Sequence, residues 1–467
     1  MNRDTLCWMS AADLAAAIRK KKVSPVEVVE AVLTRIQDLK DLNAYVTVDA
    51  EGARRAAREA ERALMTRGAR LGPLHGVPFS VKDLVLTKGL RTTFGTPLYR
   101  DHVPSEDAPI VLRMKAAGAI LIGKTNTPTF GWIGITDNLL FGVTRNPWDA
   151  GRTPGGSSGG AGAAVAAGLA PLAIGTDGGG SIRKPAAWCG IFGLKPSYGR
   201  IPVYPHGAAW SLSHAGPMTR TVRDAALMLN VCAGPDERDQ YSLPAASVDY
   251  VKALGGSLGG LRVAYSDTLG FAPAVDPEVR AATRRAARAF RELGCRVEAA
   301  DPKWPSPYEC WRTTFYGGIA ARLAPYLDRR AEIDPELRPI VEEALAAPPT
   351  KYIQAWFDRL AWWQHARAFF ETYDLLLSPT VACLPLRVGE PWVTEIGGVK
   401  VGREAGSAFT FAFNLTGQPA ATVPCGLTRD GLPIGLQIVG RRFDDVTVLR
   451  ASAAFEAARP WADRRPS

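Results

Sequence analysis

Between residues 155 and 183 two glycine clusters bracket a run of small residues, and this segment limits the fold more than any other. It reads Gly155-Gly156-Ser157-Ser158-Gly159-Gly160, then an alanine-rich stretch to Gly168, then Gly175-Thr176-Asp177-Gly178-Gly179-Gly180-Ser181-Ile182-Arg183. Glycine permits backbone conformations and close approaches that a Cβ forbids. Such a pattern allows three structures: a pair of flexible turns around a helix, a phosphate cradle, or a loop whose N–H groups converge on one point. The phosphate cradle lacks its sequence: there is no GxxxxGK[ST], and no GxGxxG follows a first strand with an acidic residue about 20 positions on. Convergent N–H groups ahead of a serine suit an oxyanion hole.

That third structure needs a base for the serine. The five histidines are His75, His102, His206, His214 and His365, and they form no Ser-His-Asp order and no GxSxG elbow. His75 and His214 read as core or loop histidines. Lys82 stands at the end of a strand-like run, in Ser80-Val81-Lys82-Asp83. Burial disfavours the charged form of a lysine and can turn it into a base, as in Ser-Lys variants of the catalytic triad.

The elements around these motifs alternate. Ser10 caps a helix from Ala11 to Lys21, and Ser24-Pro25 opens another to Leu39. Glu51 to Thr66 is a third helix. Short apolar runs at 77–82, 119–123 and 172–175 read as strands, with helices at 108–117 and 161–168 between them. Further strands are expected at 261–265, 295–299, 375–377 and 435–439, and a helix at 277–294. Residues 306–372 carry many aromatics and read as helical, with Trp311, Tyr316, Tyr352, Trp356, Trp362 and Trp363 expected in a core rather than around a ligand. The fold class is α/β: one large domain with a central mixed sheet covered by helices on both faces, plus a helical, aromatic cap. The expected divisions are a helical segment at 1–70, a catalytic core at 71–235, a substrate cap at 236–372 and a closing part of the core sheet at 373–467.

The motifs closely resemble the amidase signature family. Pro78 to Asp83 matches its lysine motif, Gly155 to Gly160 its GGSSGG segment, and Gly175 to Arg183 its GGSIR segment. Ser157 follows Lys82 by 75 positions and Ser181 follows Ser157 by 24, as in the family. Gly123-Lys124-Thr125-Asn126, Gly193-Leu194-Lys195-Pro196, Gly216-Pro217-Met218 and Asn414-Leu415-Thr416-Gly417 are also family-like, so the resemblance spans roughly residues 8 to 460. It implies catalytic roles for three residues: Ser181 as nucleophile, Ser157 after a cis bond as proton relay, and Lys82 as base. It implies an oxyanion hole from the N–H groups of Gly178, Gly179, Gly180 and Ser181, supported by Asp83, Ser158, Asp177 and Arg183. Trp132, with Tyr204 and Trp210, suggests a hydrophobic or aryl pocket. Gly178 stands where the family has a larger residue, which predicts a looser hole or a wider acyl pocket.

The implied activity is hydrolysis of a carboxylic amide, with ester or carbamate side reactions, without metal or cofactor. The alternative within the fold is the glutaminase subunit of a tRNA-dependent amidotransferase. That subunit usually carries Asp-Gln before Gly-Pro-Met, where this chain has Ser213-His214-Ala215. A decayed, non-catalytic scaffold is disfavoured because all three catalytic positions are intact. The net charge of +10 is spread as arginine along the chain and forms no basic block, which argues against nucleic acid as substrate. The expected partners are a small-molecule amide and, at most, a second copy in a homodimer. Seven widely spaced cysteines without a CxxC pair argue against disulfides and structural zinc. With no signal-like or membrane-spanning run, the expected compartment is the cytoplasm.

Overall fold

The first long helices begin where their side chains dictate. Ser10 caps Ala11–Arg19 by accepting from the N–H of Asp13, and its hydroxyl donates to the Asp13 carboxylate. Ser24 caps Pro25–Asp38, and Glu27 accepts from the Ser24 N–H in a capping box. The computed structural model describes residues 1–466.

Thirteen strands follow in chain order. They are β1 (Tyr45–Val48), β2 (Pro78–Lys82), β3 (Ile120–Thr125), β4 (Leu172–Asp177), β5 (Phe192–Lys195), β6 (His214–Thr219), β7 (Arg262–Tyr265), β8 (Arg296–Ala299), β9 (Leu375–Pro379), β10 (Glu395–Ile396), β11 (Val399–Lys400), β12 (Ala420–Leu427) and β13 (Pro433–Gly440). Strands β10 and β11 form a small hairpin. The other eleven make one sheet in the order β1-β3-β2-β4-β6-β5-β12-β13-β9-β7-β8. Parallel pairs join β2 to β3 and β4, and β7 to β8 and β9. The remaining pairs are antiparallel, so the sheet is mixed.

This topology places the site. Because β2 and β4 run parallel, their last residues, Lys82 and Asp177, emerge at the same edge. The carboxyl ends of strands are where open α/β sheets hold ligands. The connecting helix Gly159–Ala166 is buried along its whole length. Its small residues let it lie close to the strands: a Cβ on Gly160 would sit 2.3 Å from the N–H nitrogen of Asn126.

The helical cap is narrower than 236–372. Strands β7 and β8 and the helix Pro277–Glu292 belong to the main sheet and its flank. The purely helical part is Tyr308–Leu323, Arg338–Ala346 and Pro349–Thr372, with the first helix packed against the other two. Beneath it lies a second hydrophobic core that includes Trp311, Phe315, Trp362, Phe409 and Phe411. No helix among the described residues is long and apolar enough to cross a membrane.

Candidate active site

Lys82 ends β2 in full burial. Its Nζ lies 2.7 Å from Ser157 Oγ, 2.9 Å from Ser158 Oγ and 3.4 Å from the Thr176 carbonyl. No carboxylate lies within ion-pair distance of it among the described residues. Burial therefore pushes its pKa well below that of an ordinary lysine, and the more distant charge of Asp177 only partly opposes this.

The two serines beside the amine differ in what they can give it. Ser158 Oγ donates to the Thr176 carbonyl at 3.1 Å and accepts from the Thr176 N–H at 3.3 Å. Its proton is committed, and it serves Lys82 as an acceptor. Among the described residues Ser157 Oγ has no partner but Lys82, so its hydroxyl proton is free for the amine lone pair. The Gly156–Ser157 peptide is cis. The Ser158 N–H donates to the Ser181 carbonyl at 3.2 Å, which joins the two glycine segments. Ser157 and Ser181 line one cavity.

The loop before Ser181 is fixed carbonyl by carbonyl. The Asp177 carbonyl accepts from Asn414 Nδ2 at 2.8 Å, and that of Gly178 from Trp311 Nε1 at 2.9 Å. Thr410 Oγ1 donates to the Gly179 carbonyl at 2.7 Å, and the Lys184 N–H to the Gly180 carbonyl at 2.7 Å. In a trans peptide the next N–H points opposite to the carbonyl. Anchoring four carbonyls therefore aims four N–H groups. Those of Gly178, Gly179 and Ser181 have no protein acceptor among the described residues. Gly180 departs from the expected oxyanion role, because its N–H donates to Asp177 Oδ1 at 2.7 Å. Its glycine has another cause: φ is +122°, and a Cβ would lie 2.3 Å from Thr410 Oγ1.

Asp177 and Arg183 brace this loop. Arg183 Nη2 and Nε lie 2.9 and 3.0 Å from the two Asp177 carboxylate oxygens, with both side chains fully buried. Burial works against the Asp177 charge, but Arg183, Lys195 and Asn414 overcome it and hold the carboxyl far below its usual range. Arg183 also donates to the Thr410 carbonyl, Gln437 Oε1 and Asn414 Oδ1.

Other expectations fare differently. Asp83 serves another lysine: it accepts from Thr93 N at 3.0 Å and Thr93 Oγ1 at 2.5 Å, with Lys124 Nζ 4.0 Å away. It ties down the turn after β2 and does not touch the serines. His75 is buried with Nε2 2.9 Å from the Ala60 carbonyl, and His214 is buried with Nδ1 2.8 Å from the Leu212 carbonyl. Tyr204 lines the cavity at Ser157 and Ser181. Trp132 lines a second cavity at Ser181. Trp210 does neither; it stacks between Tyr241 and Trp356 on the wall of an outer groove of about 760 Å³. Gly178 does not widen the pocket, because Phe315 Cε2 lies 3.0 Å from where its Cβ would stand.

The aromatics at 311–316, expected in the core only, also reach the site. Trp311 stacks on Phe315 at 4.7 Å, and both, with Tyr316, line the second cavity. A Cβ on Gly179 would lie 2.6 Å from Trp311 Cζ2. The run of three glycines was the available signal: one positive φ, at Gly180, does not need three, so the others mark neighbours pressed against the backbone.

The chain is similar to known proteins over nearly its whole length. The amidase family profile matches residues 27–449. The chain belongs to the amidase signature family. An acylamidase of Rhodococcus erythropolis is 44% identical, covering 100% of this chain and 99% of its own. One of the subunits of the glutamyl-tRNA(Gln) amidotransferase of Roseiflexus castenholzii is 37% identical, covering 99% and 98%. The solved structure of a bacterial aryl acylamidase superposes with a TM-score of 0.92 at 35% identity, covering 97% of each chain. This chain is an amidase, a hydrolase of carbon–nitrogen bonds other than peptide bonds.

Proposed function

We propose that this amidase cleaves small amides with a hydrophobic or aryl limb through an acyl-enzyme on Ser181. The observation that carries the relay is the buried Lys82 amine, free of any carboxylate and 2.7 Å from the one hydroxyl whose proton is uncommitted. Neutral Lys82 takes the Ser157 proton as Ser157 takes that of Ser181, and Ser181 Oγ attacks the substrate carbonyl. The N–H groups of Gly178, Gly179 and Ser181 receive the oxyanion. The proton returns along the same path to the leaving nitrogen, the C–N bond breaks and the amine departs. Water then gives its proton to the relay and attacks the ester, and the acid leaves as Ser181 regains its hydrogen. Esters and carbamates fit the same cycle, since neither step requires a nitrogen leaving group.

The substrate class rests on the cavity at Ser157 and Ser181, about 90 Å³ and walled largely by Leu84, Leu86, Ile110, Phe130 and Phe315. The names of the acylamidase and aryl acylamidase relatives agree with it. All seven cysteines are unpaired, which supports a reducing, cytoplasmic setting. The test is acid-quenched mass spectrometry with acetanilide and its p-nitro derivative. Wild type should show the acyl mass on the peptide holding Ser181, and Ser181→Ala should show neither adduct nor turnover. Glutamine turnover with no anilide turnover would instead favour the amidotransferase glutaminase reading.

A further inference from the structure

Ser181 stands between two cavities, and only the second is lined by charged side chains. The first is the apolar one above. The second is smaller, about 40 Å³, and its aromatic walls carry the side chains of Lys184, Arg403, Glu404 and Ser407. An acyl-transfer substrate has two limbs, one on each side of the attacked carbon, and the second cavity, bordered by Ser181, offers a place for one of them.

Lys184 is the unusual group there. It is 5% exposed, and its Nζ donates to Ser407 Oγ at 2.8 Å and lies 5.7 Å over the Trp188 ring. No carboxylate lies within 4 Å of it among the described residues. Glu404 lines the same cavity without reaching it. Arg403, also without a carboxylate partner there, stacks over Trp392 at 4.8 Å. An ammonium has three donors, and leaving a buried cation unpaired is costly. The backbone beside it is fitted to it as well. A Cβ on Gly134 would lie 2.3 Å from Lys184 Nζ, while Gly134 has no positive φ to require a glycine. The missing side chain lets the ammonium lie against this backbone at the cavity wall.

We propose that Lys184 is a specificity-determining residue that binds a carboxylate on one limb of the substrate, with Arg403 steering the anion in. The natural substrate would then be an amide with a hydrophobic limb on one side and a short anionic limb on the other. This deepens the proposed function and rests on acylation of Ser181. Burial lowers the Lys184 pKa to about 8, which leaves it mainly protonated at neutral pH.

Matched substrates test it, each variant serving as its own reference. Acetanilide is the neutral parent. Succinanilic acid carries a carboxylate on the acyl limb, with butyranilide as its neutral counterpart. N-acetyl-4-aminobenzoate carries one on the amine limb, with N-acetyl-4-toluidine as counterpart. Wild type should prefer one carboxylate over its counterpart by roughly 10-fold to 100-fold in kcat/KM, and the favoured arm identifies the limb. Lys184→Met should collapse that ratio to near one. Gly134→Ala, which crowds the ammonium without removing its charge, should lower the ratio part of the way. Equal use of neutral and charged partners on both limbs by wild type overturns the proposal, as does a preference that survives Lys184→Met. Failure of the acyl-enzyme reading would appear differently, as anilide turnover that persists in Ser181→Ala.

Discussion

Lys82 and Arg183 are both fully buried at the same edge of the sheet, and burial makes opposite groups of them. Arg183 faces Asp177 through two short contacts and keeps its charge in a closed network. Lys82 meets only hydroxyls and a carbonyl, so burial drives it toward the neutral amine. The difference lies in the counter-charge rather than in depth. At this edge the paired cation is a brace, and the unpaired Lys82 is left as a neutral amine. The brace holds the loop that carries the free N–H groups, while in the proposed relay the base takes the proton from the serines.

The largest expected effect breaks the base. Lys82→Met replaces the amine with an apolar chain of similar length and should lower kcat/KM by about 10²–10⁴-fold, the usual contribution of a general base. Because no ion pair is lost, the thermal midpoint should stay or rise. Steady-state kinetics with calorimetry reads both, and a large drop in stability with activity kept would reverse the assignment. Arg183→Met should instead lower stability, because it leaves Asp177 charged and buried without its ion-pair partner, which costs about 3–5 kcal/mol. Urea unfolding checks this, and a loss below about 1 kcal/mol would mean that Asn414 and the loop N–H groups suffice to hold Asp177.

A third substitution probes the loop between the two. Gly179→Ala puts a methyl group 2.6 Å from Trp311 Cζ2 and must shift an N–H donor aimed at the oxyanion. Loss of one such donor typically costs about 10²–10³-fold in kcat. An unchanged kcat would show that the Trp311 helix yields and that the loop does not depend on it.

The base was easier to read in the sequence than the brace. Lys82, Ser157 and Ser181 sit in local motifs, and caps such as Ser10 and Ser24 announce their helices within three residues. The partners of Arg183 come from Thr410, Asn414 and Gln437, more than two hundred residues away, where no local pattern links them. Strand β6, His-Ala-Gly-Pro-Met-Thr, is buried on both faces, so it shows no alternation for a strand reading to use. Trp311 could be seen as helical and aromatic, but its bond to the Gly178 carbonyl exists only after the cap has folded over the loop. The expectations for Gly180 and Trp210 failed for the same reason. Which N–H is already taken, and which wall an indole joins, are decided by tertiary packing.

The smallest effect sharpens the comparison through pH. In the unfolded chain Lys82 titrates near the ordinary value of 10.5, whereas in the folded chain burial depresses it. Between those two values the unfolded state holds one proton more than the folded state. Stability therefore rises with pH across that window, by up to about 1.4 kcal/mol per pH unit for a single group. Below the folded value both states are protonated, and the cost of burying the ammonium is present in full. Lys124 and Lys184, each lowered to about 8 by burial, add slopes of the same sign, so the wild-type curve alone cannot isolate Lys82. The difference between wild type and Lys82→Met can, because the other lysines cancel. Urea midpoints from pH 6 to 10 should rise more steeply in wild type, and wild-type kcat/KM should fall as acid protonates the amine. Parallel stability curves would mean that Lys82 stays charged when folded, and the relay would then need another base.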